Sequence, residues 1–105
     1  MKTVYAAIQL FLDRVHKAGI PVSRAYVFGS HAKGTATEYS DIDVCIVSPQ
    51  LGIDPIAEMV KLRQLAYPID SRIEPIPLSD EGFNDPYSTL VSEIRRYGKR
   101  VITAH

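Results

Sequence analysis

The stretch that decides the fold is VFGSHAKGTATEYSDIDVCIV, which runs from Val27 to Val47. It places Gly-Ser directly after one apolar segment and Ser-Asp-Ile-Asp at the start of another. The segment RAYVF (24–28) is typical of a short strand that ends at Gly29, and DIDVCIV (41–47) is typical of a second strand. Because the interior of this second strand is apolar on both faces, we expect it to lie centrally in a sheet, with Cys45 as a small core residue.

The segments on either side predict helices that alternate with strands. Apolar residues recur at helical spacing from Val4 to Val15, so the first element is a helix that Thr3 can cap. The later patterns predict a helix from Asp54-Pro55 to about Tyr67 and then a strand over residues 69–78, whose prolines favour the edge of the sheet. They also predict a short helix that begins at Asp85-Pro86 and a final strand over residues 99–103. Helices and strands arranged around one small sheet make an α/β or α+β sandwich.

The bulk composition is that of one ordinary globular domain. The chain has 105 residues, of which 46% are hydrophobic, and we expect a single domain over residues 1–105. Twelve Lys and Arg balance twelve Asp and Glu, whereas proteins that bind nucleic acid through its phosphates usually carry a basic surplus. The sequence shows neither a signal-peptide pattern nor an apolar run near the roughly 20 residues that a bilayer requires. We therefore expect a cytoplasmic protein without a nucleic-acid or membrane surface.

Asp41 and Asp43 have a spacing that suits metal binding. They are two residues apart at the start of the second predicted strand, so both side chains leave the same face, with Cα atoms roughly 6.5 Å apart. Mg²⁺ prefers oxygen ligands and is usually held by one or two carboxylates together with substrate phosphates. The pair alone is also compatible with two solvated aspartates at a strand end.

Gly29 and Ser30 add the features of a phosphate-binding turn. Glycine lets the backbone approach a ligand closely, and the N–H groups at the start of a helical turn favour phosphate oxygens, as does the Ser30 hydroxyl. Lys33 could reach a triphosphate, and Ser40 is expected to brace the turn before Asp41 by a hydrogen bond to the backbone. A phosphate site that faces two metal-binding carboxylates predicts phosphoryl or nucleotidyl transfer by a two-metal mechanism.

The stretch resembles the signature of the DNA polymerase β-like nucleotidyltransferase superfamily. That signature is Gly-Ser, about ten residues, and then Asp-x-Asp; ten residues separate Ser30 from Asp41 here. The fuller pattern G-S-x-A-x-G…S-D-I-D also matches, from Gly29 to Asp43. The short chain is similar to the minimal nucleotidyltransferases of bacteria and archaea. This resemblance implies the polymerase β-like palm core, Mg²⁺ in a two-metal site and ATP as the substrate.

The same resemblance implies three catalytic carboxylates that bind the metal ions. The first two correspond to Asp41 and Asp43, and the third belongs on the next strand, where Asp70 and Glu74 compete. We favour Glu74, which lies in RIEPIP in phase with Arg72, although the superfamily usually has aspartate at this point. Its implied role is to deprotonate the acceptor hydroxyl or to complete the shell of the first metal ion.

The resemblance also implies a partner. In the family, the minimal nucleotidyltransferase is often encoded beside a small helical protein of the HEPN type, and the pair can act as antitoxin and toxin. The implied reaction is transfer of AMP from ATP to a hydroxyl group of that partner. Two alternatives stay open: a module that silences its partner by contact alone, and an enzyme that acts on a small molecule or an RNA end. A homo-oligomer is also compatible with the sequence.

Overall fold

The computed structural model describes residues 3–103, which form one four-stranded sheet with helices on both faces. In chain order the elements are α1 (Val4–Lys17), β1 (Arg24–Phe28), α2 (Ser30–Lys33), β2 (Ile42–Val47), α3 (Pro55–Ala66), β3 (Ile73–Leu78), α4 (Asp80–Phe83), α5 (Thr89–Tyr97) and β4 (Lys99–Val101). The predicted α/β (α+β) sandwich with a small mixed sheet is confirmed. The predicted single domain also includes the first two and last two residues of the chain, which lie outside the described residues. None of the described helices is long and apolar enough to cross a lipid bilayer.

The sheet has the strand order β3-β2-β1-β4, so β2 is central, as predicted, and β3 is an edge strand. β1 is antiparallel to both β2 and β4, whereas β2 and β3 are parallel. The Ile42 N–H donates to the carbonyl of Arg72 at 2.8 Å, which fixes which residues of β3 bond to β2. Pro75 and Pro77 alternate with those residues, so the N–H groups that proline lacks fall on the free edge.

Strand alternation produces two apolar layers, one on each face of the sheet. The larger layer packs α1 and α3 against the sheet, and its largest members are Ile8, Phe11, Leu12, Ile42, Ile46 and Leu62. The smaller layer packs α4 and α5 against the other face, and its members are Phe28, Cys45, Val47, Phe83, Val91 and Ile94. β2 contributes to both layers, which is why its sequence is apolar at nearly every position.

Cys45 is a core residue, as predicted. Its side chain lies in the smaller layer and is fully buried. Burial raises the pKa of the thiol to about 12. The group is therefore protonated at neutral pH and unsuited to nucleophilic chemistry.

The third strand is shorter than predicted, since it begins at Ile73 and not at residue 69. The Asp70 carboxylate accepts a hydrogen bond from the Arg72 backbone N–H at 3.0 Å, which closes a turn immediately before the strand. An aspartate that bonds the backbone two residues ahead favours a turn over an extended strand. The periodic pattern of residues 69–72 gave no sign of this contact.

The predicted start of the last helix at Asp85-Pro86 is wrong. α5 begins at Thr89, where the Ser88 hydroxyl accepts a hydrogen bond from the Val91 N–H at 3.1 Å. Asp85 instead closes a turn, with its carboxylate accepting from the Tyr87 N–H at 2.9 Å. By contrast, the predicted caps of α1 and α3 are confirmed. The short helix α4 was not predicted.

Candidate active site

One end of the sheet gathers the segments that carry the predicted site residues. β1 ends at Phe28, which pairs with Asp43 near the start of β2, and Asp43 pairs in turn with Glu74 near the start of β3. Neighbouring strands lie about 4.8 Å apart, so the Gly29-Ser30 turn, Asp43 and Glu74 follow one another across the sheet. The antiparallel and parallel pairings thus bring together residues that are distant in the sequence.

Gly29 places the backbone of this turn directly against Asp43. Its φ of +70° lies in the region that residues with a side chain rarely adopt. A Cβ atom at this position would overlap Oδ2 of Asp43. Glycine is therefore required here for two reasons, the backbone conformation and the space that the Asp43 carboxylate occupies.

The electrostatic environment of Asp43 is dominated by burial and by like charge. Burial raises the pKa of its carboxyl group, and the nearby carboxylates of Asp41, Glu74 and Glu93 raise it further, whereas His31 opposes them. Within residues 3–103, no side chain or backbone group forms a hydrogen bond or ion pair with the carboxylates of Asp41 or Asp43. Two adjacent carboxylates that have no cationic side chain as a partner are suited to a metal ion, which would supply the missing positive charge.

The turn that follows Gly29 presents donors that the rest of the described chain does not use. The N–H groups of Ala32 and Lys33 both donate to the Gly29 carbonyl at 3.1 Å. The N–H groups of Ser30 and His31 open the first turn of α2 and have no acceptor within that helix. Over residues 3–103 the Ser30 hydroxyl also has no partner. These donors are in the position that the sequence predicts for phosphate contacts.

His31 is a residue of the site to which the sequence motif gives no role. Its Nε2 atom is buried and, among the described residues, lacks a hydrogen-bond partner. Its imidazole is close enough to Asp43 to lower the pKa of that carboxyl group. An unpaired buried nitrogen is costly, on the order of 1–3 kcal/mol, so a polar ligand in the site would relieve an existing penalty.

Lys33 is held by two residues of α5. Its Nζ atom lies 2.7 Å from Oε1 of Glu93 and 4.9 Å from the centroid of the Tyr97 ring. The hydrogen bond to Glu93 raises the pKa of Lys33. Both charged side chains are partly exposed, so a phosphate group could replace Glu93 at small cost.

Asp70 and Ser40 hold the loop that leads to Asp41. The Ser40 hydroxyl accepts a hydrogen bond from the Thr37 N–H at 2.9 Å. Arg72 binds the Asp70 carboxylate through two hydrogen bonds of 3.1 and 2.8 Å, and it donates a third to the Glu38 carbonyl at 3.0 Å. Both carboxylate oxygens of Asp70 are therefore engaged by Arg72 outside the group formed by Asp41 and Asp43.

Glu74 faces the same side of the sheet as Asp43, but its carboxylate is paired with Arg63 of α3. Nη1 of Arg63 lies 3.1 Å from Oε2 of Glu74, and Nη2 lies 3.0 Å from Oε1. In the described part of the chain, no three His, Cys, Asp or Glu side chains are close enough together to hold a metal ion. The site thus offers two carboxylates, and the Glu74 carboxylate, the candidate for the third, lies to one side.

Sequence reasoning did not identify Glu93 or Arg63 as parts of this site. Both lie on helices distant in sequence from the motif and reach it only through the packing of α5 and α3. Neither residue has a local pattern that separates it from an ordinary solvated charge. The three-dimensional structure was required to place them.

Comparison with known proteins supports the assignment of the fold and the family. The sequence model of the nucleotidyltransferase domain matches residues 8–95. The chain belongs to the nucleotidyltransferase domain family. The matched region contains the Gly29-Ser30 turn, both aspartates and Glu74. No curated protein sequence matches this nucleotidyltransferase domain.

Solved structures of toxin–antitoxin complexes share the fold. A toxin–antitoxin with AMP-PNP has a TM-score of 0.68 and 24% identity over 98% of this chain and 76% of that chain. A mutant form of the toxin–antitoxin MntA-HpeT has a TM-score of 0.64 and 22% identity over 90% and 71% of the two chains. The Shewanella oneidensis complex of a tri-AMPylated HEPN toxin with an MNT antitoxin has a TM-score of 0.55 and 26% identity over 91% and 72%. The predicted polymerase β-like nucleotidyltransferase fold is confirmed.

The contact between Gly29 and Asp43 predicts that Gly29→Ala destabilises the domain more than Gly19→Ala. Both glycines have positive φ, so each substitution strains the backbone by on the order of 1–3 kcal/mol. At Gly29 a ψ of −148° places the backbone in a region that is essentially confined to glycine. Only at Gly29 does the new Cβ also overlap Asp43, because nothing lies within 4 Å at Gly19. Urea unfolding should show an additional loss for Gly29→Ala of roughly 1–3 kcal/mol. In an Asp43→Ala background this additional loss should shrink to the part that comes from backbone strain; equal losses for the two glycines in the native background would contradict the contact.

The raised pKa of Asp43 predicts that Asp43→Asn stabilises the ligand-free domain in a pH-dependent way. Because the pKa is higher in the folded state, the associated stability is present at low pH and is lost as the pH rises through the folded value. Asparagine resembles the protonated, neutral form of Asp43 and does not ionise as the pH rises. In thermal unfolding with a metal chelator, the variant should therefore have the higher midpoint at neutral pH, and the difference should shrink towards about pH 4. The exposed Glu81→Gln serves as the control, and a wild type as stable as Asp43→Asn at neutral pH would contradict a raised pKa at Asp43.

Proposed function

We propose that this nucleotidyltransferase domain transfers AMP from ATP to a hydroxyl group of a partner protein in a Mg²⁺-dependent reaction. The observation that carries the proposal is the pair Asp41 and Asp43, which has no cationic partner in residues 3–103 and of which Asp43 lies against Gly29. A carboxylate pair beside unused N–H and hydroxyl donors matches the needs of a metal-bound triphosphate. We also propose that residues 1–105 act as one domain.

The roles of the residues follow from their positions. Asp41 and Asp43 would hold Mg²⁺ together with the phosphates, and the bound ions would stabilise the charge that develops on the transferred group. The Ser30 hydroxyl and the first amides of α2 donate to phosphate oxygens, while Lys33 exchanges Glu93 for a phosphate. The acceptor oxygen forms a bond to the α-phosphorus as the bond between the α-phosphorus and its bridging oxygen breaks, and pyrophosphate leaves. Glu74 would accept the proton of the acceptor hydroxyl or complete the ligand set of a bound ion.

A protein acceptor is favoured by one relative in particular. The Shewanella oneidensis complex, in which a tri-AMPylated HEPN toxin is bound to its MNT antitoxin, is 26% identical over most of both chains. We therefore propose a small helical HEPN-type protein as the partner, with a Tyr, Ser or Thr hydroxyl as the acceptor. The equal numbers of acidic and basic residues weigh against a nucleic-acid acceptor.

Transfer of label from α-labelled ATP tests this function. We expect the wild type to label a co-expressed HEPN-type protein from the neighbouring gene. Asp43→Asn should reduce labelling by at least about 100-fold, because loss of one charge at the metal site removes stabilisation of the transition state but preserves shape. Glu74→Gln should have a similar effect, whereas Asp70→Asn should be mild. Size-exclusion chromatography should show that each variant still forms the complex with the partner.

The same experiment separates the alternatives. A wild type that labels nothing, yet binds and silences its partner as well as Asp43→Asn does, would establish a module that acts by contact alone. Label that appears only when RNA or a small hydroxyl compound is added would show that the acceptor is that compound and not a protein. If Asp70→Asn is severe and Glu74→Gln is mild, the third carboxylate is Asp70.

A further inference from the structure

The salt bridge between Arg63 and Glu74 is formed by both terminal nitrogens of the guanidinium group. The two N···O distances are 3.1 and 3.0 Å, so each carboxylate oxygen of Glu74 is engaged by one nitrogen of Arg63. Parallel, two-point contacts of this kind hold both partners in one orientation. Among residues 3–103, Arg63 is the only cationic partner of Glu74.

The position of α3 determines where this salt bridge holds the carboxylate. Leu62 and Ala66 are buried in the layer on the opposite face of the sheet from Asp43 and Glu74. β3 is the edge strand, so Arg63 reaches Glu74 around the edge of the sheet. Glutamate has one methylene group more than aspartate, and this extra length lets its carboxylate turn towards that edge. The pairing therefore holds the carboxylate away from Asp41 and Asp43, in keeping with the lack of a three-ligand group in the described chain.

We propose that Arg63 is a positioning residue that withholds Glu74 from the metal site of the ligand-free protein. The inference rests on the proposed function, since it concerns the third carboxylate of the same site. In this state a divalent cation meets Asp41 and Asp43 alone, and Glu74 joins the site only when it leaves Arg63. Arg63 thus lowers the affinity of the free protein for the cation and couples full assembly of the site to the arrival of the triphosphate.

The exposure of the pair makes this exchange feasible. The Arg63 side chain is 51% exposed and that of Glu74 is 26% exposed, so water already competes for both groups. An ion pair of this exposure is equivalent to about a two- to fivefold change in an equilibrium constant. A cation that arrives with the triphosphate and gains a third carboxylate can overcome an interaction of that size, whereas the cation alone does not. The Asp70 carboxylate, by comparison, is bound by Arg72 at three points and is only 17% exposed.

Binding of Mn²⁺ to the nucleotide-free protein, followed by electron paramagnetic resonance, tests the proposal without reference to catalysis. Arg63→Gln should bind Mn²⁺ about 2–5-fold more tightly than the wild type, because Glu74 becomes available as a ligand. Glu74→Gln should differ from the wild type by less than about twofold, since Glu74 does not contact the cation in the free protein. Lys61→Gln on the same helix removes an equal charge without touching Glu74 and should also have little effect.

The double variant Arg63→Gln/Glu74→Gln distinguishes withholding from simple charge repulsion. If Arg63 acts through Glu74, the double variant should match Glu74→Gln within about twofold. The proposal would be overturned if the double variant still bound Mn²⁺ more tightly than Glu74→Gln does. It would also be overturned if Arg63→Gln bound Mn²⁺ no more tightly than the wild type. Loss of Mn²⁺ binding in Asp43→Asn tests the metal site itself, so a failure there is distinguishable from a failure at Arg63. If neither the wild type nor any variant binds Mn²⁺, the proposed metal site and the proposed role of Arg63 are both wrong.

Discussion

The close approach of Gly29 to Asp43 is the constraint on which the rest of the site depends. The antiparallel pairing of Phe28 with Asp43 brings the end of β1 to the start of β2. Gly29, the next residue, can then turn into α2 without a side chain in the space that the Asp43 carboxylate fills. One backbone conformation thus joins the phosphate-binding turn to the carboxylate pair. The parallel pairing of Asp43 with Glu74 extends the arrangement to the third strand.

The charges around this contact are arranged in two ways. Glu74 and Glu93 are each paired with a basic residue from another segment, Arg63 and Lys33 respectively. Asp41 and Asp43 have no such partner within residues 3–103, and the pKa of Asp43 is raised as a consequence of burial and neighbouring carboxylates. The ligand-free domain therefore concentrates uncompensated negative charge where a cation is proposed to bind. Cation and triphosphate together would satisfy the carboxylates and the unused donors of Ser30 and His31.

Local chemistry in the sequence was sufficient for most of the fold. The caps at Thr3 and Asp54, the central position of β2 and the edge position of β3 each follow from a few adjacent residues. The failures came where a side chain competed with the pattern, as when Asp70 closed a turn inside the predicted strand and Ser88 displaced the predicted helix start. The motif located Asp41 and Asp43, but the partners of Glu74 and Lys33 depend on tertiary packing and have no local signature.

Paramagnetic broadening in the amide spectrum of the ¹⁵N-labelled protein tests whether the metal–triphosphate site lies at the end of β1. The sample would contain Mn²⁺ and a non-hydrolysable ATP analogue, with Mg²⁺ in the diamagnetic reference. A site at the end of β1 predicts that the amide signals of residues 29–33 and 41–43 broaden at the lowest Mn²⁺ concentrations. Those of the groove lined by Asn84, Asp85 and Ser88 should broaden less. Broadening centred on that groove, with residues 29–33 and 41–43 unaffected, would contradict a metal–triphosphate site at the end of β1.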